Sequence, residues 1–312
     1  MTPPVTVRVG SQRVTVPYTI TLGFEFAVMV ANNDERKTTE GLDKQALHLK
    51  VAAVLGRSPG GLQKHFSGNT SGIWAAVDNH TRLCPDCTCP RPVYCIKAYT
   101  AADLNAWMAT LTADVALVYD QEFYGADQAG WDNYNAHYKT IFQLVAAHPK
   151  GHHVEVQSVS STSKERALPG GWPKFDARYA HSWGSDAYNA RPDPILSGEQ
   201  LYRDQVTAIE RMRQVNPGLK WRISETGVSR LSDPQAGVLY TGARRIEIFQ
   251  DQVDYVIGNG AASMGYWAVA NPTAAEPVKD WSTDKGTPAD VEFAAHLRAL
   301  CDRYPVRANW RT

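Results

Sequence analysis

Two glutamates carry the chemistry this sequence most plainly offers. Glu122 lies in Val115-Ala-Leu-Val-Tyr-Asp-Gln-Glu122-Phe-Tyr-Gly125, and Glu225 lies in Lys220-Trp-Arg-Ile-Ser-Glu225-Thr-Gly227. In both places an apolar, strand-like run ends in an acidic side chain and continues into a glycine-containing loop. A carboxylate at the end of a buried strand is costly unless it is paired or used. Two carboxyl groups that face each other can divide acid and base work, because their repulsion lets one hold a proton while the other is ionised. Cleavage of an O-glycosidic bond needs that division: one group protonates the leaving oxygen, and the other attacks carbon or activates water. The plain alternative for each Glu is an ion pair with an arginine at a strand end.

The surrounding elements must bring two residues 103 positions apart to one place. Strand-like runs recur at 20–26, 51–56, 93–98, 115–119, 154–159, 177–181, 220–224 and 262–268. Helix-like stretches lie at 101–111, 131–147, 198–215, 235–257 and 288–304. Ser197 with Gln200 forms a capping box, and Asn216-Pro217-Gly218 is a stop signal. Strands alternating with helices imply parallel pairing, and eight of them imply an α/β fold, a single (β/α)8 TIM barrel over residues 1–312. An open doubly wound sheet would need a glycine-rich phosphate loop after the first strand, and Gly23-Phe24-Glu25-Phe26 is not one. In the barrel reading Glu122 ends the fourth strand and Glu225 the seventh, on opposite sides of the C-terminal rim where catalytic residues sit. Residues 1–18 contain Val5-Thr-Val-Arg-Val, a Gly10-Ser11 turn and a second alternating run, a β-hairpin that would cap one barrel end. The run at 51–56 has a competing reading as helix over 47–55.

Composition narrows the partners. The 312 residues carry 32 Lys+Arg and 32 Asp+Glu, a formal net charge of zero. That balance gives no long-range pull toward nucleic acid or anionic lipid. With 43% hydrophobic and 21% charged residues, the chain is globular in composition, not disordered. No apolar run reaches the ~18 residues a membrane span needs. The start, Met1-Thr2-Pro3-Pro4-Val5, lacks the features of a signal peptide, so a cytoplasmic or phage-encoded protein, or a secreted one with its leader removed, is expected. Nine Trp and 14 Tyr suit an uncharged, sugar-like ligand. The expected partner is therefore a carbohydrate, with no nucleic acid and no membrane, bound by a monomer.

Glutamates at the ends of strands four and seven resemble the retaining glycosidases of clan A, the four-seven (β/α)8 superfamily, over residues 18–304. Gln121-Glu122 followed by Trp131, Tyr134 and Tyr138 is most similar to the β-mannanase-type branch. Members usually carry Asn or His before the acid Glu; Gln121 can still donate an amide hydrogen bond to a sugar hydroxyl. The resemblance implies that Glu122 is the acid/base and Glu225 the nucleophile. It implies further that Tyr188 or His181, near strand six, holds the nucleophile, with Asp186 as another polar group. Trp267 would form the floor under the sugar. Arg57 would contact the nucleophile, and Glu25, placed at the same rim, would bind a hydroxyl or pair with Arg57. His65 and Trp74 would line the cleft, and Arg57, Lys64 and His65 could make it locally basic.

Two alternatives compete. Asp120 with Glu122 looks like the barrel lysozymes, since residues i and i+2 of a strand share a face. A non-catalytic carbohydrate-binding barrel would need neither Glu. Catalysis in either enzymatic reading needs no cofactor. Cys84, Cys87, Cys89 and Cys95 fall in a loop insertion at 78–95 and could hold a structural zinc or form disulfides. Cys301, on the last helix, is expected to be a buried thiol.

Overall fold

The computed structural model describes residues 5–9, 12–16, 23–29, 44–55, 64–66, 72–83, 91–121, 123, 125, 127–160, 172–189, 195–233, 237–268 and 280–311. Strands β1 (Val5–Val9) and β2 (Gln12–Val16) pair antiparallel as the expected N-terminal hairpin. The main sheet is built from β3 (Glu25–Met29), β4 (Lys64–Phe66), β5 (Val93–Ile96), β6 (Val115–Tyr119), β7 (Val154–Val159), β8 (Ser182–Asn189), β9 (Lys220–Val228) and β12 (Ala261–Trp267). A short antiparallel pair, β10 (Leu231–Asp233) with β11 (Val238–Leu239), follows β9. The main sheet runs β3-β12-β9-β8-β7-β6-β5-β4, and every pairing in it is parallel. Seven consecutive strands carry the curl, and three-residue β4 extends it. No pairing between β3 and β4 lies among the described residues, so the sheet is a parallel curl and the expected closed eight-stranded barrel is not shown.

Seven helices lie among the described residues: α1 (Lys44–Leu55), α2 (Ile73–Leu83), α3 (Ala101–Thr110), α4 (Gln128–Ala147), α5 (Gly198–Arg213), α6 (Gly242–Gly258) and α7 (Pro288–Arg303). Their starts are chemically marked. Ser197 and Gln200 form the expected capping box on α5, and Thr287 with Asp290 forms another on α7. Trp107, Trp131, Trp183 and Trp221 are fully buried in the core between sheet and helices. Truncating one such side chain to Ala costs about 3–5 kcal/mol. A smaller cluster, Ala27, Val93, Cys95, Ala116, Val118 and Val159, draws on β3, β5, β6 and β7 and fills the concave side.

The curl is also held by charge. Glu25 on β3 accepts from Arg91 at 2.5 and 3.2 Å and from Arg222 of β9 at 3.1 Å. Glu155 of β7 accepts from Arg222 at 2.5 and 3.1 Å, and the Arg91 guanidinium lies 3.7 Å away. All four side chains are buried. Two carboxylates and two guanidiniums cancel in charge, which is the condition under which buried ions are tolerated. They sit where β3, β7 and β9 begin, at the N-terminal end of the sheet.

Several expectations are corrected here. Residues 51–56 do not form the second strand; they lie mostly in α1, and the strand is β4. The sixth strand does not span 177–181, where a 3-10 turn (Ala177–Tyr179) stands, but begins at Ser182. The first strand starts at Glu25 instead of ending there, so Glu25 is at the opposite end from the rim and belongs to the ion cluster. Part of the 78–95 segment is helical, since α2 runs to Leu83.

Candidate active site

Glu225 occupies the C-terminal half of β9 and is 4% exposed. Its Oε1 accepts from Gln121 Nε2 at 2.6 Å, and its Oε2 accepts from Tyr188 Oη at 2.5 Å. Gln121 follows β6 and Tyr188 lies on β8, so three strands converge on one carboxylate. Two donors on different oxygens fix the plane of the group. Gln121 Oε1 in turn accepts from Cys95 Sγ on β5 at 3.0 Å. Asp186 is the Cα partner of Glu225 across the β8–β9 ladder.

A second layer holds Tyr188. Its ring packs against Trp281 with centroids 4.4 Å apart, inclined by 32°. Trp281 is set in turn against Gly227: a Cβ there would lie 2.6 Å from the indole Cδ1, so only glycine allows the approach. The segment carrying Trp281 is pinned from several sides. Tyr266 Oη donates to Trp281 O at 2.8 Å, and Arg230 donates to Asp280 at 3.0 Å and to Asp290 at 2.7 Å. Arg245 donates to Ser282 O at 3.1 Å. Nothing in the sequence marks Trp281 or Cys95 as neighbours of this site, because both contacts join residues far apart in the chain.

The chain between β6 and α4 turns sharply. Asp120 has φ 46°, the left-handed region that Asp tolerates better than most residues, and its N–H donates to Ile96 O at 2.7 Å. The strand thus ends at Tyr119, and the shared-face argument for Asp120 with residue 122 does not hold. The Asp120 carboxylate is partly exposed, 3.7 Å from Lys97. Beyond the turn, Phe123 stacks on Tyr134 with centroids 4.2 Å apart, and its N–H donates to Val159 O at 3.3 Å. Trp131, Tyr134 and Tyr138 are buried anchors of α4. Tyr138 Oη lies 3.0 and 2.9 Å from Tyr119 O and Gln157 O, which share its one O–H as acceptors.

The sequence candidates divide accordingly. Glu225, Gln121 and Tyr188 are brought together, with Asp186 beside them. Trp267 ends β12, buried, opposite Met29. His181 is not at this site. It precedes β8 at the N-terminal end, where Nδ1 accepts from Val156 N at 3.0 Å and the ring packs against Trp310. Glu25 is likewise excluded by its place in the ion cluster. Trp74 is exposed on α2. Glu122, Arg57, Cys84, Cys87 and Cys89 lie outside the described residues, as do the side chains of Lys64 and His65. Cys95 lies inside the curl, and Cys301 is buried on α7. No helix among the described residues is long and apolar enough to cross a membrane.

No family model matches the sequence, and no curated protein matches it. Solved structures do resemble it in fold. The endo-1,4-beta-D-mannanase of Thermotoga petrophila RKU-1 superposes with a TM-score of 0.55 at 10% identity, covering 90% of this chain and 100% of that one. The beta-D-glucuronidase of Dictyoglomus thermophilum gives 0.53 at 10% identity, covering 99% of this chain and 55% of that one. The GH2 beta-galacturonidase of Eisenbergiella tayi gives 0.52 at 9% identity, covering 95% of this chain and 54% of that one. At such identities the likeness is one of fold: a parallel curled sheet with helices of the kind found in these glycosidases.

Proposed function

We propose that this chain is a retaining glycoside hydrolase of a neutral poly- or oligosaccharide, with Glu225 as nucleophile and Glu122 as acid/base, and that its curl closes as a (β/α)8 barrel. The observation that carries the reading is the Glu225 carboxylate, turned inside the sheet and held by Tyr188 and Gln121 on different oxygens. The fold shared with a mannanase and with two glycosidases of acidic sugars supports the reaction class. The side chains named around Glu225, Tyr188, Gln121, Cys95, Trp281 and Asp186, include no cation, which favours an uncharged sugar.

In this mechanism Glu122 donates its proton to the glycosidic oxygen as the C1–O bond breaks, and Glu225 forms a bond to C1. The leaving sugar departs as an alcohol, and a glycosyl ester remains on Glu225. Glu122, now a carboxylate, takes a proton from water, whose oxygen attacks C1 and releases Glu225. Two inversions at C1 retain its configuration. Tyr188 and Gln121 hold the Glu225 plane during attack, which is positioning work.

The test is a screen of polysaccharides and aryl glycosides, wild type against Glu225→Gln and Glu122→Gln, with the anomer of the first product read by NMR. Retained configuration and loss of turnover by about a thousandfold in both variants are expected. An inverted product would overturn the mechanism. Sugar binding without turnover, unchanged in both variants, would point to a non-catalytic binding barrel.

A further inference from the structure

A second cavity lies at the N-terminal end of the sheet, away from Glu225. It is an open cleft of about 400 Å³ between α4, the entry to β8 and β9, and the C-terminal segment. Phe142, Ala180, Val215 and Trp310 supply apolar wall, and Lys220, His181 and Arg178 supply the polar part. Among the described residues, no carboxylate lines it.

The three polar groups are not equivalent. Arg178 is matched by Asp176, which takes its Nε and Nη2 at 2.8 and 2.7 Å. Lys220 has no carboxylate within ion-pair distance among the described residues. Its ammonium donates to Trp310 O and has two further N–H groups. The carboxylate inward of it, Glu155, is taken by Arg222 and Arg91. Burial, then the positive charges of Arg222 and Arg91, hold the Lys220 pKa below the ordinary lysine value. An anion beside it would relieve that strain. His181 accepts the Val156 N–H on Nδ1, so its neutral ring carries its proton on Nε2 and can offer a donor there.

From this arrangement we propose that the cavity binds a small organic carboxylate. Its charged end would sit on the Lys220 ammonium and the His181 Nε2–H, and its apolar body against Phe142, Val215 and Trp310. The volume exceeds what a bare oxyanion fills, and the apolar wall would be wasted on one. This inference does not depend on the chemistry proposed for Glu225.

The test is calorimetric titration of the full chain with benzoate, with benzyl alcohol as its neutral counterpart and inorganic phosphate as the bare oxyanion. Saturable benzoate binding is expected, with the other two weaker by about tenfold or more, the equivalent of one charge-assisted hydrogen bond. Lys220→Met should weaken benzoate by a similar factor. Val215→Glu, at a position 61% exposed and therefore safe for folding, should do the same by placing a negative charge at the mouth. Absence of saturable binding would overturn the proposal. So would equal binding of benzyl alcohol or phosphate, or benzoate affinity unchanged in Val215→Glu.

Discussion

Arg222 and Glu225 stand three residues apart on β9, yet both side chains enter the concave side of the sheet. A regular strand would send them to opposite faces, because side chains alternate with period two. Arg222 meets Glu25 and Glu155, while Glu225 meets Gln121 and Tyr188. The outward residues show the same break. Trp221 donates to Gln205, and Thr226 bonds Tyr202, both on α5, although five positions separate them. The ladder shows where the phase slips. Ser185 pairs with Ile223 and Asp186 with Glu225, so Ser224 is an extra residue, a bulge, on β9. The β12 side repeats the irregularity between Met264 and Tyr266. Bulges re-aim side chains in this way.

Deleting Ser224 should therefore be tolerated. Arg222 and Glu225 would then stand two positions apart, so a regular strand sends both to the concave side, and the pairs Ser185–Ile223 and Asp186–Glu225 become consecutive. A loss below about 3 kcal/mol is expected by urea unfolding, and a larger one would show that the bulge itself is needed. Ser224→Ala keeps the backbone count and removes a buried hydroxyl that has no partner among the described residues, so it should change stability by less than about 1 kcal/mol.

Tyr188→Phe separates positioning from packing. The ring remains to stack on Trp281, and the donor to Glu225 is lost. Thermal stability should stay close to wild type, while kcat/KM on the best substrate falls by about ten- to a hundredfold. An unchanged kcat/KM would remove Tyr188 from the site.

Gly227→Ala tests the support behind Tyr188. The new methyl would meet the Trp281 indole at 2.6 Å. Trp281 must shift, at a cost of about 1–3 kcal/mol. Near-ultraviolet circular dichroism should report the displaced indole, and activity should fall with it.

Acid should destabilise the protein in two stages. Burial lowers His181 from 6.5 to about 4. Between those values the unfolded chain binds the proton and the folded one does not, so this contribution is present above pH 6.5 and is lost as pH falls toward 4. Burial alone would raise the Glu155 carboxyl, but Arg222 and then Arg91 outweigh it and hold it at about 2 instead of 4.5. Its contribution is present above pH 4.5 and is lost as pH falls toward 2. Glu25 is lowered in the same sense. Urea midpoints against pH should show both stages, and His181→Asn should flatten only the upper one.

The parts of this protein that were legible in the sequence are those decided by near neighbours. β6 and β7 lie where their apolar runs end, and α5 starts at its capping box, because propensity and capping act within one or two turns of chain. The placement of Glu225 on a strand was legible for the same reason, whereas its neighbour Tyr188 on β8 was implied only by the resemblance to clan A. Residues 51–56 were not, since a short buried apolar run has no period that separates strand from helix. Which end of its strand Glu25 or His181 occupies was equally hidden: a shift of a few residues in the boundary exchanges the two ends of the sheet. The pairing of Glu25 with Arg222 across 197 positions, the seat of Trp281 on Gly227 and the bulge at Ser224 exist only once the sheet has curled. They were decided by tertiary structure, because buried charges must find partners and an inward carboxylate must be accommodated by the register of the strands on either side.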